Sequence, residues 1–315
     1  MEFQQKELKK NFYLNLTCKE HQHGKIHYSQ VKNLKNIFVS TTFAKNDSKI
    51  SEVLLTCKKA NISNIELGSN HCYEKNFKKI IKKHKLNLIV HNYFPIPKKS
   101  FVVNIASVNR FIRNLSIRHV KKAILFCKTT NAKLYTFHPG FIFDPVAASN
   151  SKKNYDFIWD NKIQKRNYNI AFSLMLDALK KIVKFAKKNK VKVAIETEGS
   201  FKKKHLLLMQ TPQEYKKLFK HFKPKDLGIN LNIGHLNLAS RGFKFSKYRF
   251  INLIKPYVVA FELSHNNGME DQHLPLKRKT WYWKIIKDPF FLKAYKILEF
   301  RNTDIKKIKE VINYF

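Results

Sequence analysis

The segment Phe261-Glu-Leu-Ser-His-Asn-Asn-Gly-Met-Glu-Asp-Gln-His273 holds two histidines, two glutamates and an aspartate within thirteen residues, at the end of an apolar run from Tyr257 to Leu263. Neutral imidazole and ionised carboxylate are common ligands of divalent metals, and the same groups move protons in acid and base catalysis. A buried strand that delivers them to its C-terminal tip is therefore a candidate metal or acid/base site. Comparable tips recur at His91, His138, Glu196 with Glu198, Asn232 with His235, and Glu299.

Residues so far apart in sequence meet only if the fold returns each carrier segment to a common end. Short apolar or β-branched runs lie at Ile37 to Phe43, Asn64 to Gly68, Leu86 to Tyr93, Ala132 to Phe137, Val191 to Glu196, Leu227 to Ile233, Tyr257 to Leu263 and Lys296 to Phe300. Their length and polar flanks predict eight buried strands. Between them, helices are predicted over Ser48 to Lys59, Glu74 to His84, Val108 to Lys128, Ile170 to Lys187, Ser246 to Ile254 and Asp304 to Ile312, with Trp281 to Tyr295 broken by Pro289. Thr211-Pro-Gln-Glu214 supplies an N-cap, a first-turn proline and a glutamate three residues on, which starts one more helix. This alternation, without a Gly/Ser-rich linker, predicts one parallel α/β domain over residues 37–315, closed most simply as a (β/α)8 TIM barrel. Residues 1–36 precede the pattern as an N-terminal extension. Polar Asp144 to Gln164 interrupts the path from the fourth strand to its helix, and loops of that length are more often functional or disordered than packed.

Composition narrows the setting. The 315 residues contain no run approaching the roughly 20 apolar residues of a membrane span, and the N-terminus lacks a secretory signal pattern. A cytoplasmic protein without membrane association is expected. Cys18, Cys57, Cys72 and Cys127 show no paired spacing, which predicts reduced thiols, with Cys18, His21 and His23 as a small local ligand cluster. The net charge of +40 would attract nucleic acid, anionic surfaces or phosphorylated substrates, but only eight of the 62 basic residues are arginine. A dedicated DNA reader more often uses arginine for its bidentate contacts, so the lysines are read first as a solvated surface.

On a (β/α)8 barrel the active face is built from the C-terminal strand ends and the loops that follow. Strand ends reading Val-His91-Asn-Tyr-Phe-Pro, Phe-His138-Pro-Gly, Ile-Glu196, Asn232-Ile-Gly-His235-Leu-Asn, Asp271-Gln-His273-Leu-Pro-Leu and Leu-Glu299 resemble the xylose isomerase-like TIM-barrel superfamily. That superfamily contains sugar-phosphate isomerases and epimerases and apurinic endonucleases of the endonuclease IV type. The resemblance runs from about residue 37 to 315 and has two departures: Asn232 stands where the superfamily typically has Asp, and Glu262 where it typically has His.

The resemblance implies a divalent metal held by Glu196, Asn232, Glu262 and Glu299, with His91, His138, His235, Asp271 and His273 as candidate ligands of further ions. An all-oxygen set favours Mn²⁺ or Mg²⁺ over Zn²⁺. It also implies a sugar or sugar phosphate as substrate and an isomerase or epimerase reaction. Glu196 and Glu299 would move a proton through an enediolate, His235 would orient substrate or a ligand, and His91, His138, His265, Asp271 and His273 would contact substrate. The alternative is a multi-metal apurinic/apyrimidinic endonuclease, with nucleic acid as partner and the basic surface holding the phosphate backbone. A third option is a degenerate barrel that binds without catalysing.

Overall fold

The computed structural model describes residues 36–148, 157–159, 168–202 and 206–315. Residues 1–35, and with them the Cys18, His21 and His23 cluster and all of the predicted extension except Asn36, lie outside the described residues, as does most of Asp144 to Gln164.

Eight parallel strands close a barrel in chain order: β1 (Ile37–Ser40), β2 (Asn64–Leu67), β3 (Asn87–His91), β4 (Tyr135–Phe137), β5 (Val193–Glu196), β6 (Gly228–Asn232), β7 (Val258–Leu263) and β8 (Tyr295–Leu298). Pairing of Ile37 with Lys296 joins β8 to β1 and leaves the sheet without an edge. The surrounding helices are α1 (Ile50–Lys59), α2 (Phe77–Lys83), α3 (Arg110–Thr130), α4 (Tyr168–Lys188), α5 (Pro212–Leu218), α6 (Ile233–Gly242), α7 (Lys247–Ile254), α8 (Trp283–Ile286) and α9 (Ile305–Ile312). A two-stranded ribbon, Ala147–Ala148 with Phe157–Ile158, follows β4.

Strand side chains alternate between the two sheet faces, and here the faces differ in chemistry. Outward residues such as Val39, Ile65, Val90, Tyr135, Ile195, Leu231 and Leu263 join the large core shared with the helices. Inside the barrel, Phe38, Ile89, Leu134, Ala194, Ala260 and Ile297 form a separate apolar plug contributed by six strands. Two residues beyond each plug residue, on the same face, stand Ser40, His91, Thr136, Glu196, Glu262 and Glu299, all buried. The interior thus passes from apolar to ionisable within one pleat.

The eight predicted strands all form; the first seven lose one to three residues at one or both ends, and β8 starts one residue early and stops two short. The Trp281 to Tyr295 segment keeps only the four-residue α8 and a 3₁₀ turn at Pro289–Phe291, because Pro289 cannot continue the α-helical hydrogen bonding. Helix α6 was not expected. Asn232 is both the last residue of β6 and the N-cap of α6, its Oδ1 accepting from the His235 N–H, so no loop sequence separates strand from helix.

Two further buried histidines make stability pH-dependent. Burial pushes the imidazoles of His71, just after β2, and His119, on α3, down to about 4. In the unfolded chain each would titrate near the usual ~6.5. Below that pH the unfolded state takes up protons that the folded state refuses, so stability is full above about pH 6.5 and is lost as pH falls toward 4. The loss is on the order of 3 kcal/mol per histidine. Urea unfolding is expected to show a falling midpoint across this window, and His119→Gln, which keeps a donor for the Asn92 carbonyl at 3.3 Å, should make the fall shallower. An unchanged slope would refute the assignment.

Candidate active site and metal centre

Glu196 ends β5 at the centre of the barrel mouth and is 1 % exposed. Its Oε1 accepts from the Asn232 amide at 2.9 Å and lies 3.1 Å from His235 Nδ1. Its Oε2 lies 3.6 Å from His138 Nδ1 and 3.7 Å from His91 Nε2, and accepts no hydrogen bond from the described residues. Burial raises the pKa of this carboxyl, but the imidazoles of His138, His235 and His91 outweigh it and hold the group well below the usual range. Glu196 is therefore an anion with one oxygen uncommitted.

The imidazoles around it are set by where they come from. His138 follows β4 and meets Glu198 Oε1 at 2.5 Å; burial lowers its pKa, but Glu198 and Glu196 override this and bring it to about 9. His235 reaches the mouth from the first turn of α6, with Nε2 3.5 Å from Asp271 Oδ2; burial is again outweighed, by Asp271 and Glu196, so its pKa lies well above the usual value. His91, at the end of β3, is lowered to about 4 by burial. Its Nδ1 faces Thr136 Oγ1 at 2.8 Å and Glu262 Oε1 at 3.2 Å, which leaves Nε2 toward Glu196.

On the β8 side, His273 bridges two acids, with Nε2 3.0 Å from Asp271 Oδ2 and Nδ1 3.2 Å from Glu299 Oε2. Burial lowers the His273 pKa, but Asp271 and Glu299 raise it to about 10. The residue sits at φ 47°, in the left-handed region that costs a non-glycine residue about 1 kcal/mol, so the surrounding contacts must hold it there. Arg301 Nη2 lies 3.7 Å from Glu299 Oε1. Burial raises the pKas of Glu299 and Asp271, but their cationic neighbours prevail and keep both carboxyls low.

Beneath the mouth, Glu262 on β7 is fully buried. Its Oε1 accepts from the Asn230 amide at 2.8 Å and its Oε2 from the Asn232 amide at 3.1 Å. Glu66 on β2 is equally buried, and neither of its oxygens accepts a hydrogen bond from the described residues. Burial, with Glu196 and Glu299 nearby, pushes both carboxyls well above the usual range.

A cavity of about 490 Å³ opens above this layer, with His91, His138, Glu196, His235, Asp271 and Glu299 in its lining. The fold therefore gathers the predicted residues at the C-terminal face, with differences. His265 lies on the outward-facing parity of β7, continuing Leu263, packs toward the Tyr282 ring at 6.1 Å and is not in the cavity lining. Asn232 and Glu262 are bonded to each other, and Glu262 lies below the cavity rather than in its wall. Residues not singled out from sequence as site residues are Glu66, Thr136, Asn230 and Arg301; strand alternation points to the first three, each on the inner parity of its strand.

Ligand-type atoms lie within 4.8 Å of one another in three groups: His91, His138 and Glu196; His235, Asp271 and His273; and Glu66, His91 and Glu262. The first two groups open on the cavity, and the uncommitted Oε2 of Glu196 belongs to the first. These residues fit a divalent cation. They mix imidazole with carboxylate, so the preference for Mn²⁺ or Mg²⁺ that follows from an all-oxygen set does not carry over to them.

The geometry has counterparts among known proteins. A family model described as the xylose isomerase-like TIM barrel matches residues 55–299. The chain belongs to this family. The uncharacterized protein MJ1311 of Methanocaldococcus jannaschii is 25 % identical over 213 residues, covering 66 % of this chain and 62 % of that protein. Among solved structures, a D-tagatose 3-epimerase-like protein superposes with a TM-score of 0.63 at 19 % identity, covering 89 % of this chain and 98 % of the other. A D-psicose 3-epimerase crystallised with D-fructose gives 0.61 at 13 % identity, covering 88 % and 96 %. An AP endonuclease, family 2, from Brucella melitensis gives 0.58 at 9 % identity, covering 87 % and 95 %. At these identities the structures are alike in fold. No helix among the described residues is long and apolar enough to cross a membrane.

The ionic network can be tested in the metal-free protein. With Glu198→Gln, His138 loses its closest anion, and its imidazole pKa is expected to drop from about 9 by at least about one unit. Histidine NMR titration reads this directly; an unmoved pKa would mean that Glu196 alone holds the proton on His138.

Proposed function

We propose that the protein is a metal-dependent sugar or sugar-phosphate isomerase or epimerase. The observation that carries the reading is a pair of buried carboxylates held in the anionic form, Glu196 on β5 and Glu299 after β8, exposed to one cavity from strands three apart around the barrel. Two bases reaching a substrate from different strands suit removal of a proton on one side of a carbon and its return on the other. A bound divalent cation, held by residues of the His91–His138–Glu196 and His235–Asp271–His273 groups, would supply Lewis-acid polarisation of a carbonyl and its neighbouring hydroxyl.

The remaining roles follow from the contacts. His273 joins Glu299 to Asp271 and, while protonated, keeps Glu299 anionic. His235, anchored between Glu196 and Asp271, positions the first of these carboxylates. In the metal-free site His138 carries its proton near neutral pH and is suited to donate a hydrogen bond to a substrate hydroxyl; it would lose that proton on ligating a cation. The fold relatives named as epimerases of small ketoses agree with this substrate class.

Incubation in D₂O with the correct sugar should place solvent deuterium on the carbon beside the carbonyl. Glu196→Gln and Glu299→Gln should each slow exchange by about 10²-fold or more. The substrate is sought across ketoses, their phosphates and keto-glycosides, and lack of exchange across that panel would count against the reading.

One observation favours a second reading. Two separate imidazole/carboxylate groups face the cavity, and paired metals are a common arrangement for in-line phosphodiester displacement. Metal-dependent nicking of an oligonucleotide with one abasic site, abolished by Glu196→Gln, would replace the isomerase assignment with an apurinic/apyrimidinic endonuclease. Intact oligonucleotide under the same loading would leave the isomerase assignment in place.

A further inference from the structure

The two departures from the family pattern, Asn232 and Glu262, form one hydrogen-bonded unit. They face each other directly across β6 and β7, and the Asn232 side-chain nitrogen donates to Glu262 Oε2 at 3.1 Å and to Glu196 Oε1 at 2.9 Å. The orientation of the carboxamide is fixed independently. Its Oδ1 accepts the His235 backbone N–H at 3.0 Å as the N-cap of α6, so its NH₂ must point the other way, toward the two carboxylates. A flipped amide would set oxygen against two carboxylate oxygens and an amide N–H against a backbone N–H. Both amide protons are thus committed, one to each carboxylate. Glu262 receives a second amide on its other oxygen, from Asn230 at 2.8 Å.

We propose that the Asn232 carboxamide stands in for a cation between Glu196 and Glu262. It closes that position to metal and leaves binding to the His91–His138–Glu196 and His235–Asp271–His273 groups on either side. The physical ground is complementarity. An anionic carboxylate and a second carboxyl that converge in a buried layer need donors on the oxygens they turn toward each other, and the NH₂ group supplies one donor to each with no net charge. A cation placed there would meet the positive ends of two N–H dipoles. Asn and Asp have nearly the same shape, so a single exchange at residue 232 decides between a donor bridge and a third carboxylate. In these terms Glu262 is a partner of the amide and of His91 Nδ1, at 3.2 Å, so it positions the ring whose Nε2 faces the cavity group.

The inference rests on the metal dependence assumed in the proposed function but not on the reaction, and its test uses no substrate. The full-length protein and Asn232→Asp are stripped of metal, dialysed against Zn²⁺ and, separately, Mn²⁺, and their bound metal is counted by mass spectrometry. Because Asp also caps helices, α6 keeps its N-cap in the variant. The variant is expected to bind about one more equivalent than the wild-type protein. Its metal-free form is expected to melt lower, with a larger upward shift on metal addition, because removal of the amide leaves the carboxylates unbridged. Equal metal counts and equal melting shifts in the two proteins would overturn the proposal. So would a wild-type count that falls by one in Asn232→Ser, a variant that keeps a cap but offers no amide, since that would make Asn232 a ligand. If the counts behave as expected but no sugar exchanges deuterium, the reaction assignment fails and the metal arrangement stands.

Discussion

The constraint on which the structure depends is the burial of six acidic side chains in one end of a barrel. Glu66, Glu196, Glu198, Glu262, Asp271 and Glu299 are each less than 10 % exposed. Uncompensated, such groups would either unfold the barrel mouth or lose their charge. The molecule uses both remedies, sorted by depth. At the cavity surface, Glu196, Asp271 and Glu299 stay anionic against His138, His235, His273 and Arg301. One layer down, Glu262 is held by two asparagine amides, and its pKa, like that of Glu66, rises with burial. The anionic carboxylates therefore line the cavity, and the carboxyls with raised pKa lie beneath it.

This sorting follows from strand geometry. A side-chain period of two puts each plug residue and the polar residue after it on the same inward face, so the apolar plug acts as the floor on which the ionisable layer rests. The plug keeps water from the underside, and the low local dielectric strengthens each imidazole–carboxylate contact above it. The same protons that balance the carboxylates in the metal-free chain would have to leave before these imidazole nitrogens could ligate a cation, so binding of a cation there would be linked to pH through His138, His235 and His273.

The barrel was legible in the sequence because each strand is a short apolar run with a polar or ionisable residue within two positions of its end, and each long helix has a strong amphipathic period. The active-face residues were legible for the same reason, since a strand end is easy to locate. Parity within the strand was the weaker signal. Glu66 lies inside the run Asn64 to Gly68 and is marked only by sharing the inward phase with Gly68, whereas His265, expected to contact substrate, falls in the opposite phase. Hydrogen-bond partnership was not legible. The exchange at 232 and 262 reads in sequence as two changed ligands, and only the position of the His235 N–H shows which way the amide turns and hence that the two residues satisfy each other.

The charge of the whole chain sharpens the meaning of its acids. With 62 basic and 22 acidic residues, carboxylates are scarce, yet six of them converge on the barrel mouth. Composition alone would scatter them. A basic exterior raises the local concentration of anionic solutes around the molecule over about one Debye length, roughly 8–10 Å. At the mouth those acids are matched by the imidazoles of His138, His235 and His273 and by Arg301, so the lysine-rich exterior does not face a bare anionic cluster there: the charge of the surface and the charge of the site are balanced separately.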